Sequence, residues 1–206
     1  AEDVGEILVT AQKRAESVQD VPISIAAFSA AKLEAANVLD VRDLTRIVPN
    51  FTAFRSTQVA NVRLNIRGIG AASNTAAEPS VASFVDDVYV ARPGAILTNF
   101  LDMEAVEVLR GPQGTLQGRN ASVGAVSLRT TAPKNDFSAM ASAEAGSFGR
   151  YRMAGHINVP LSDTVAIRAA AIGQTLDGIW RNSFDGRTYG AQDDYAGRLS
   201  MKADIT

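Results

Sequence analysis

Val106-Glu-Val-Leu-Arg-Gly-Pro-Gln-Gly-Thr-Leu-Gln-Gly-Arg-Asn-Ala-Ser-Val-Gly-Ala-Val126 decides how the rest of this 206-residue chain is read. A short strand of β-branched and apolar residues runs into Arg110-Gly111-Pro112. A turn punctuated by glycine follows, and then a second strand. The glycines at 111, 114, 118 and 124 are too many for a helix and suit a backbone that doubles back tightly and packs closely. A phosphate cradle is the rival reading, but Gly118 is followed by Arg119-Asn120 rather than Lys-Ser/Thr, and no long helix follows. Gly68-Ile-Gly70 likewise lacks the third glycine and the helix of a dinucleotide site.

Outward from this stretch, residues 21–132 read as one α+β unit. Pro22 precedes the strand Ile23–Phe28, and Ser29 is a candidate N-cap for a helix over Ala30 to Ala36. Asp40 with Asp43 resembles a weak capping box that opens a second short helix through Ile47, stopped by Pro49. Val62, Leu64 and Ile66 alternate with Arg63, Asn65 and Arg67, which predicts a half-buried strand. Val81 to Val90 reads as a strand pair bent at Asp86-Asp87, where a turn is a better account than a pair of catalytic carboxylates.

From Phe137 onward, two-residue alternation takes over. Tyr151, Met153, Gly155, Ile157 and Val159 oppose Arg150, Arg152, Ala154, His156 and Asn158. Tyr195, Gly197, Leu199, Met201, Ala203 and Ile205 oppose Asp194, Ala196, Arg198, Ser200, Lys202 and Asp204. Segments 138–146 and 163–176 alternate more loosely, with Arg168 and Gln174 on the polar side. About four strands with one apolar and one wet face, joined by alternating short and long connections, match antiparallel transmembrane β-barrel strands. A soluble sheet with one face on a core is the alternative. Plugged barrels have about 22 strands of roughly 9–11 residues. On the barrel reading, residues 133–206 are expected to supply an incomplete barrel, with the remaining strands coming from a longer chain or a partner.

Composition excludes several classes. The net charge of −2 argues against a nucleic-acid binder. With no cysteine and one histidine, His156, neither disulfides nor a thiolate or histidine-rich metal site is available. A Ser/His/Asp arrangement lacks its parts, so no catalytic residues, metal site or cofactor are expected, and the chain reads as no enzyme. No run of about 18 apolar residues occurs, which excludes a transmembrane helix. Ala1-Glu2-Asp3 is compatible with a mature terminus left after cleavage at a small residue.

Residues 1–20 form a polar arm around one apolar run, Ile7-Leu8-Val9. That run reads either as an extended segment that adds to another protein's sheet edge or as a frayed first strand of the next unit.

Six segments in order resemble TonB-dependent outer-membrane receptors: Glu6–Ala11, Gln19–Ser24, Leu44–Phe51, Ile66–Gly70, Phe84–Tyr89 and Glu107–Gly114. Gln117, Asp87 and Ala125–Leu128 depart from the family's usual pattern, where an aromatic, a glycine and an asparagine-containing strand are typical. The resemblance implies an N-terminal arm, an α+β plug domain over 21–132, and the first barrel strands over 133–206. It implies that Glu6, Ile7, Leu8, Val9, Thr10 and Ala11 form a TonB box, a strand that pairs with the periplasmic TonB energy-coupling protein. Arg67 and Arg110, each before a glycine, would lock the plug to acids of the barrel wall, the alternative being carbonyl partners within the plug. Arg55, Ser56, Gln58, Ser73 and Asn74 lie in loops that would face a small-molecule ligand.

The function so implied is energised import of a scarce ligand across the outer membrane of a Gram-negative bacterium, the arm facing the periplasm and the strands facing outer-membrane lipid. A ferric siderophore is the family's commonest cargo, with carbohydrate, aromatic and vitamin ligands as competitors. A binding or assembly module of an outer-membrane complex, transporting nothing, is the rival class.

Overall fold

The stretch quoted above folds as a strand, Met103–Arg110, a single helical turn, Gly114–Gln117, and a returning strand, Gly124–Thr130. The computed structural model describes residues 8–9, 16–17, 21–55, 62–70, 78–91, 96 and 100–204. The chain divides between Thr130 and Thr131 into two compact units. In chain order the first holds β1 (Leu8–Val9), β2 (Glu16–Ser17), β3 (Ser24–Ser29), α1 (Ala30–Ala35) and a 3-10 turn at Asp43–Arg46. There follow β4 (Phe51–Arg55), β5 (Val62–Ile66), β6 (Ile69–Gly70), β7 (Val81–Val85), β8 (Val88–Tyr89), β9 (Met103–Arg110), α2 (Gly114–Gln117) and β10 (Gly124–Thr130).

A five-stranded sheet in the order β3-β9-β10-β7-β8 organises this unit. β9 is antiparallel to β3 and β10, whereas β10 runs parallel to β7. Period-two alternation sends Val106, Val108, Val126 and Leu128 into the main core, with Leu33, Leu44, Phe51 and Ile66. Leu109, Ala125, Ala82 and Phe84 form a second cluster, joined by Ile25 and Tyr89. Each large apolar side chain so buried contributes about 1.5–3 kcal/mol, which is why two faces of one sheet can both hold together. A smaller sheet, β4-β5-β6, turns Phe51, Ala53, Val62, Leu64 and Ile66 to the main core.

Two local expectations need correction. Ser29 stands at the start of α1 with extended backbone, but its side chain makes no cap bond. The six-residue helix is held by burial of Leu33 rather than by its cap. Asp40 and Asp43 tie down the lead-in to a 3-10 turn instead of capping an α-helix: Asp43 Oδ2 accepts the Leu39 N–H at 2.9 Å and Asp40 Oδ1 accepts the Arg42 N–H at 2.7 Å, while the turn's N-cap, Arg42, makes no side-chain cap bond.

In the second unit, β11 (Ser138–Gly146), β12 (Arg150–Pro160), β13 (Val165–Leu176) and β16 (Gln192–Ala203) form one antiparallel sheet in that order. Between β13 and β16 lies a small hairpin of β14 (Trp180–Arg181) and β15 (Thr188–Tyr189), a detail the loop's composition does not reveal. The faces are inverted relative to a soluble sheet. Asn158, Arg168, Ala166 and Ala170 are buried, whereas Tyr151, Met153, Leu199 and Met201 are 61–76% exposed. Asn158 satisfies itself locally: it donates to the carbonyls of Lys134 and Asp136 and accepts the Lys134 N–H at 3.0 Å. One cross-strand row, Glu144–Arg152–Gln174–Asp194, pairs Arg152 to Glu144 at 2.9 Å and Gln174 to Asp194 at 3.0 Å.

Candidate functional site

Three places carry the sequence expectations, and each is built differently. Of the expected box, Leu8 and Val9 are described, and they form a strand. That strand already has a partner, pairing antiparallel with β2 in the register Leu8 to Ser17 and Val9 to Glu16. A two-stranded hairpin of this length is marginal by itself. Glu6, Ile7, Thr10 and Ala11 lie outside the described residues.

Arg67 and Arg110 come to one end of the first unit. Arg110 closes β9 directly opposite Gly124 of β10. Ile66 packs onto that glycine, its Cδ1 being 2.6 Å from where a Cβ would stand, and Arg67 is the next residue. Arg67 and Gly68, at φ 54° and 79°, are the central residues of a tight turn joining Ile66 to Ile69. The Arg67 N–H donates to the Asn50 carbonyl at 2.8 Å, while its side chain is exposed. Among the described non-glycine residues with positive φ, all but Arg67 and Phe148 are Asn or Asp, the types that tolerate this backbone. An arginine is thus held where asparagine fits better. Arg110 is half-buried, and its Nε is buried with no hydrogen-bond partner among the described residues.

Of the expected ligand contacts, Arg55 ends β4, and Ser56, Gln58, Ser73 and Asn74 lie outside the described residues. Beside Arg55 the structure adds residues that sequence reasoning missed. Phe54 and Arg63 are direct cross-strand partners, with the Arg63 guanidinium carbon 6.0 Å from the Phe54 ring centroid. The only available signal was an aromatic at an outward position of an otherwise polar face. Asp86 and Asp87, both at positive φ, form the β7–β8 turn. Asp86 also anchors the end of β10, accepting the Thr130 N–H and hydroxyl at 2.8 Å each. They are turn residues. Among the described residues no group of three His, Cys, Asp or Glu side chains is placed to hold a metal ion.

A mixed plug-like unit followed by an inside-out antiparallel sheet defines a class, and comparison with known proteins agrees. The chain belongs to the TonB-dependent receptor plug domain family, whose model matches residues 17–125. It is 27% identical over 177 residues to the pesticin receptor of Yersinia pestis, a match covering 85% of this chain and 26% of that protein. Against the catecholate siderophore receptor Fiu of Escherichia coli K12 it is 32% identical over 97 residues, 47% of this chain and 13% of that one. The crystal structure of the ferric yersiniabactin uptake receptor FyuA from Yersinia pestis superposes with a TM-score of 0.83 at 24% identity. That superposition covers 94% of this chain and 30% of FyuA. The chain therefore carries a plug domain followed by antiparallel barrel strands, and spans about a quarter of the length of the pesticin receptor.

Proposed function

We propose that this chain is the plug and first wall strands of a TonB-dependent importer that takes up a scarce ligand, a ferric siderophore, through the outer membrane of a Gram-negative bacterium. The observation that carries the reading is the inverted sheet of the second unit. Its buried face holds Asn158 and Arg168 and its exposed face Tyr151, Met153, Leu199 and Met201, which suits a wall with lipid outside and a polar lumen inside. Dimensions support it. From Val165 to Thr175 the outward face of β13 runs about 33 Å at about 3.3 Å per residue. At a strand tilt of about 40° that becomes about 25 Å of height, the thickness of the apolar band of such barrels.

In this reading residues 1–20 are the periplasmic arm, 21–132 the plug and 133–206 the start of the barrel. The box at 6–11 gives its strand to TonB by main-chain pairing, for which Leu8–Val9 is already extended. Arg67 and Arg110 hold the plug by pairing with wall carboxylates. Ligand docks on the loops that carry Arg55, Ser56, Gln58, Ser73 and Asn74. The names of the catecholate siderophore receptor Fiu and the ferric yersiniabactin uptake receptor FyuA favour an iron chelate over a sugar or vitamin.

The test is uptake of radio-iron chelates by cells producing the full-length receptor, with and without TonB. Uptake that requires TonB is the expected result. Chelate binding with no TonB-dependent uptake would favour the non-transporting module.

A further inference from the structure

We infer that β2, Glu16–Ser17, is a template: it holds the box strand extended and turns that strand's free edge to TonB. This rests on the importer reading above and deepens it by naming the element that prepares the box for its partner.

The ladder itself decides which edge is free. Leu8 lies opposite Ser17 and Val9 opposite Glu16, in an antiparallel pair. In such a pair alternate residues exchange both main-chain bonds with the partner, and the residues between them turn N–H and C=O the other way. One of Leu8 and Val9 is therefore bonded to β2, and the other aims its N–H and C=O at the opposite edge. Among the described residues no strand lies on that edge, since this sheet is β1-β2 alone. An edge of that kind accepts a strand from another chain. TonB can add there without taking any main-chain group from β2, so pairing in cis and pairing in trans are compatible.

β2 is placed to do this. Its two residues are half-buried, and they stand a short step before Val21, which is buried, and β3. Stretched out, the chain from Val9 to Val21 would span about 40 Å. Glu16 is within about 17 Å of Val21 by the same measure, so pairing with it confines the box to the neighbourhood of the plug. A free polar arm must be ordered as it binds, and that ordering is subtracted from affinity. A strand already laid on β2 has met part of that cost before TonB arrives. Two residues of pairing are marginal, so the hairpin is a preset rather than a lock. Its strength sets how often the box is ready.

The experiment uses the full-length receptor in nanodiscs, with the soluble periplasmic domain of TonB as the probe. Directly opposed residues of an antiparallel pair have Cα atoms about 4.5–5.5 Å apart, within the range that a disulfide bridges. No cysteine occurs in residues 1–206. Leu8→Cys with Ser17→Cys can therefore be closed by oxidation and reopened by reductant in the same protein. The expected result is that the bridge forms and that the oxidised receptor binds TonB more tightly than the reduced one. The gain is about threefold if the unbridged hairpin is formed about a third of the time. Ser17→Pro, which lies outside the box and removes a ladder donor, should bind TonB more weakly than the wild type. Failure of the bridge to form, or equal binding by the oxidised, reduced and Ser17→Pro receptors, would overturn the template. Weaker binding on oxidation, with tighter binding by Ser17→Pro, would make β2 a competitor for the box and overturn it too. Self-association of the oxidised receptor without TonB would give the edge to a second copy and overturn its assignment to TonB. None of these outcomes touches the importer reading, which falls only if the wild-type receptor binds no TonB.

Discussion

Ile66 occupies the space that a side chain at Gly124 would need: a Cβ there would lie 2.6 Å from Ile66 Cδ1 and 2.3 Å from the Leu109 carbonyl oxygen. The side chain could shift, but the carbonyl is part of the β9–β10 ladder and cannot. Gly124→Ala should therefore destabilise the plug by about 1–3 kcal/mol, the usual cost of overpacking. Faster hydrogen exchange at the amides of β9 and β10 in the full receptor would register it. Unchanged exchange would mean that the close approach is not a constraint.

The Asp86–Asp87 turn makes opposite predictions for neighbouring residues. Asp86→Ala removes both acceptors from Thr130 and puts alanine at φ 48°, so a loss of about 2–3 kcal/mol is expected. Asp87→Gly relieves a residue at φ 64° that makes no such bond, and should stabilise by up to about 1 kcal/mol. Chemical denaturation of the purified receptor, followed by protection of β7 and β10, measures both.

Arg67 admits a sharper test than alanine. Asparagine suits φ 54° better than arginine does, so a residue serving only the turn would be neutral or stabilised in Arg67→Asn. If Arg67 and Arg110 pair with wall carboxylates, Arg67→Asn combined with Arg110→Ala strands those acids, at a cost on the order of 3–5 kcal/mol. Looser plug exchange and leakage of large antibiotics are expected. Unchanged permeability would return both residues to ordinary hydrogen bonding within the plug.

The inverted sheet predicts a lipid-face penalty. Leu199→Arg on the exposed face should lower folding stability in bilayers by about 2–4 kcal/mol, measured by urea titration in vesicles. A sheet whose exposed face met water would tolerate the same change.

How much of this was legible in the sequence depended on which force fixed each element. The barrel-type strands were legible because alternation over 9–12 residues follows directly from the pleat. Val62, Leu64 and Ile66 were legible for the same reason. The mixed pairing of β10 with β7 was not, because parallel neighbours far apart in sequence leave no local signal. Ser29 shows the limit of cap rules: the residue type was right and the bond is absent, since burial of Leu33 decides that helix. At the candidate site, Arg67 and Arg110 stood out by their Arg-Gly contexts, but their convergence depends on Ile66 meeting Gly124, a tertiary contact. The Phe54–Arg63 pair needed the hairpin register before either residue had a neighbour.

If the N-terminal strand carries TonB's pull to the plug, Leu8→Pro should uncouple uptake from binding. Proline removes a donor and distorts the strand, so main-chain pairing fails while the plug and wall are untouched. Radio-iron chelate binding and uptake are measured side by side in cells carrying the full-length receptor. Normal binding at the surface with no uptake is the expected result. Normal uptake by Leu8→Pro would mean that this strand does not couple the receptor to TonB.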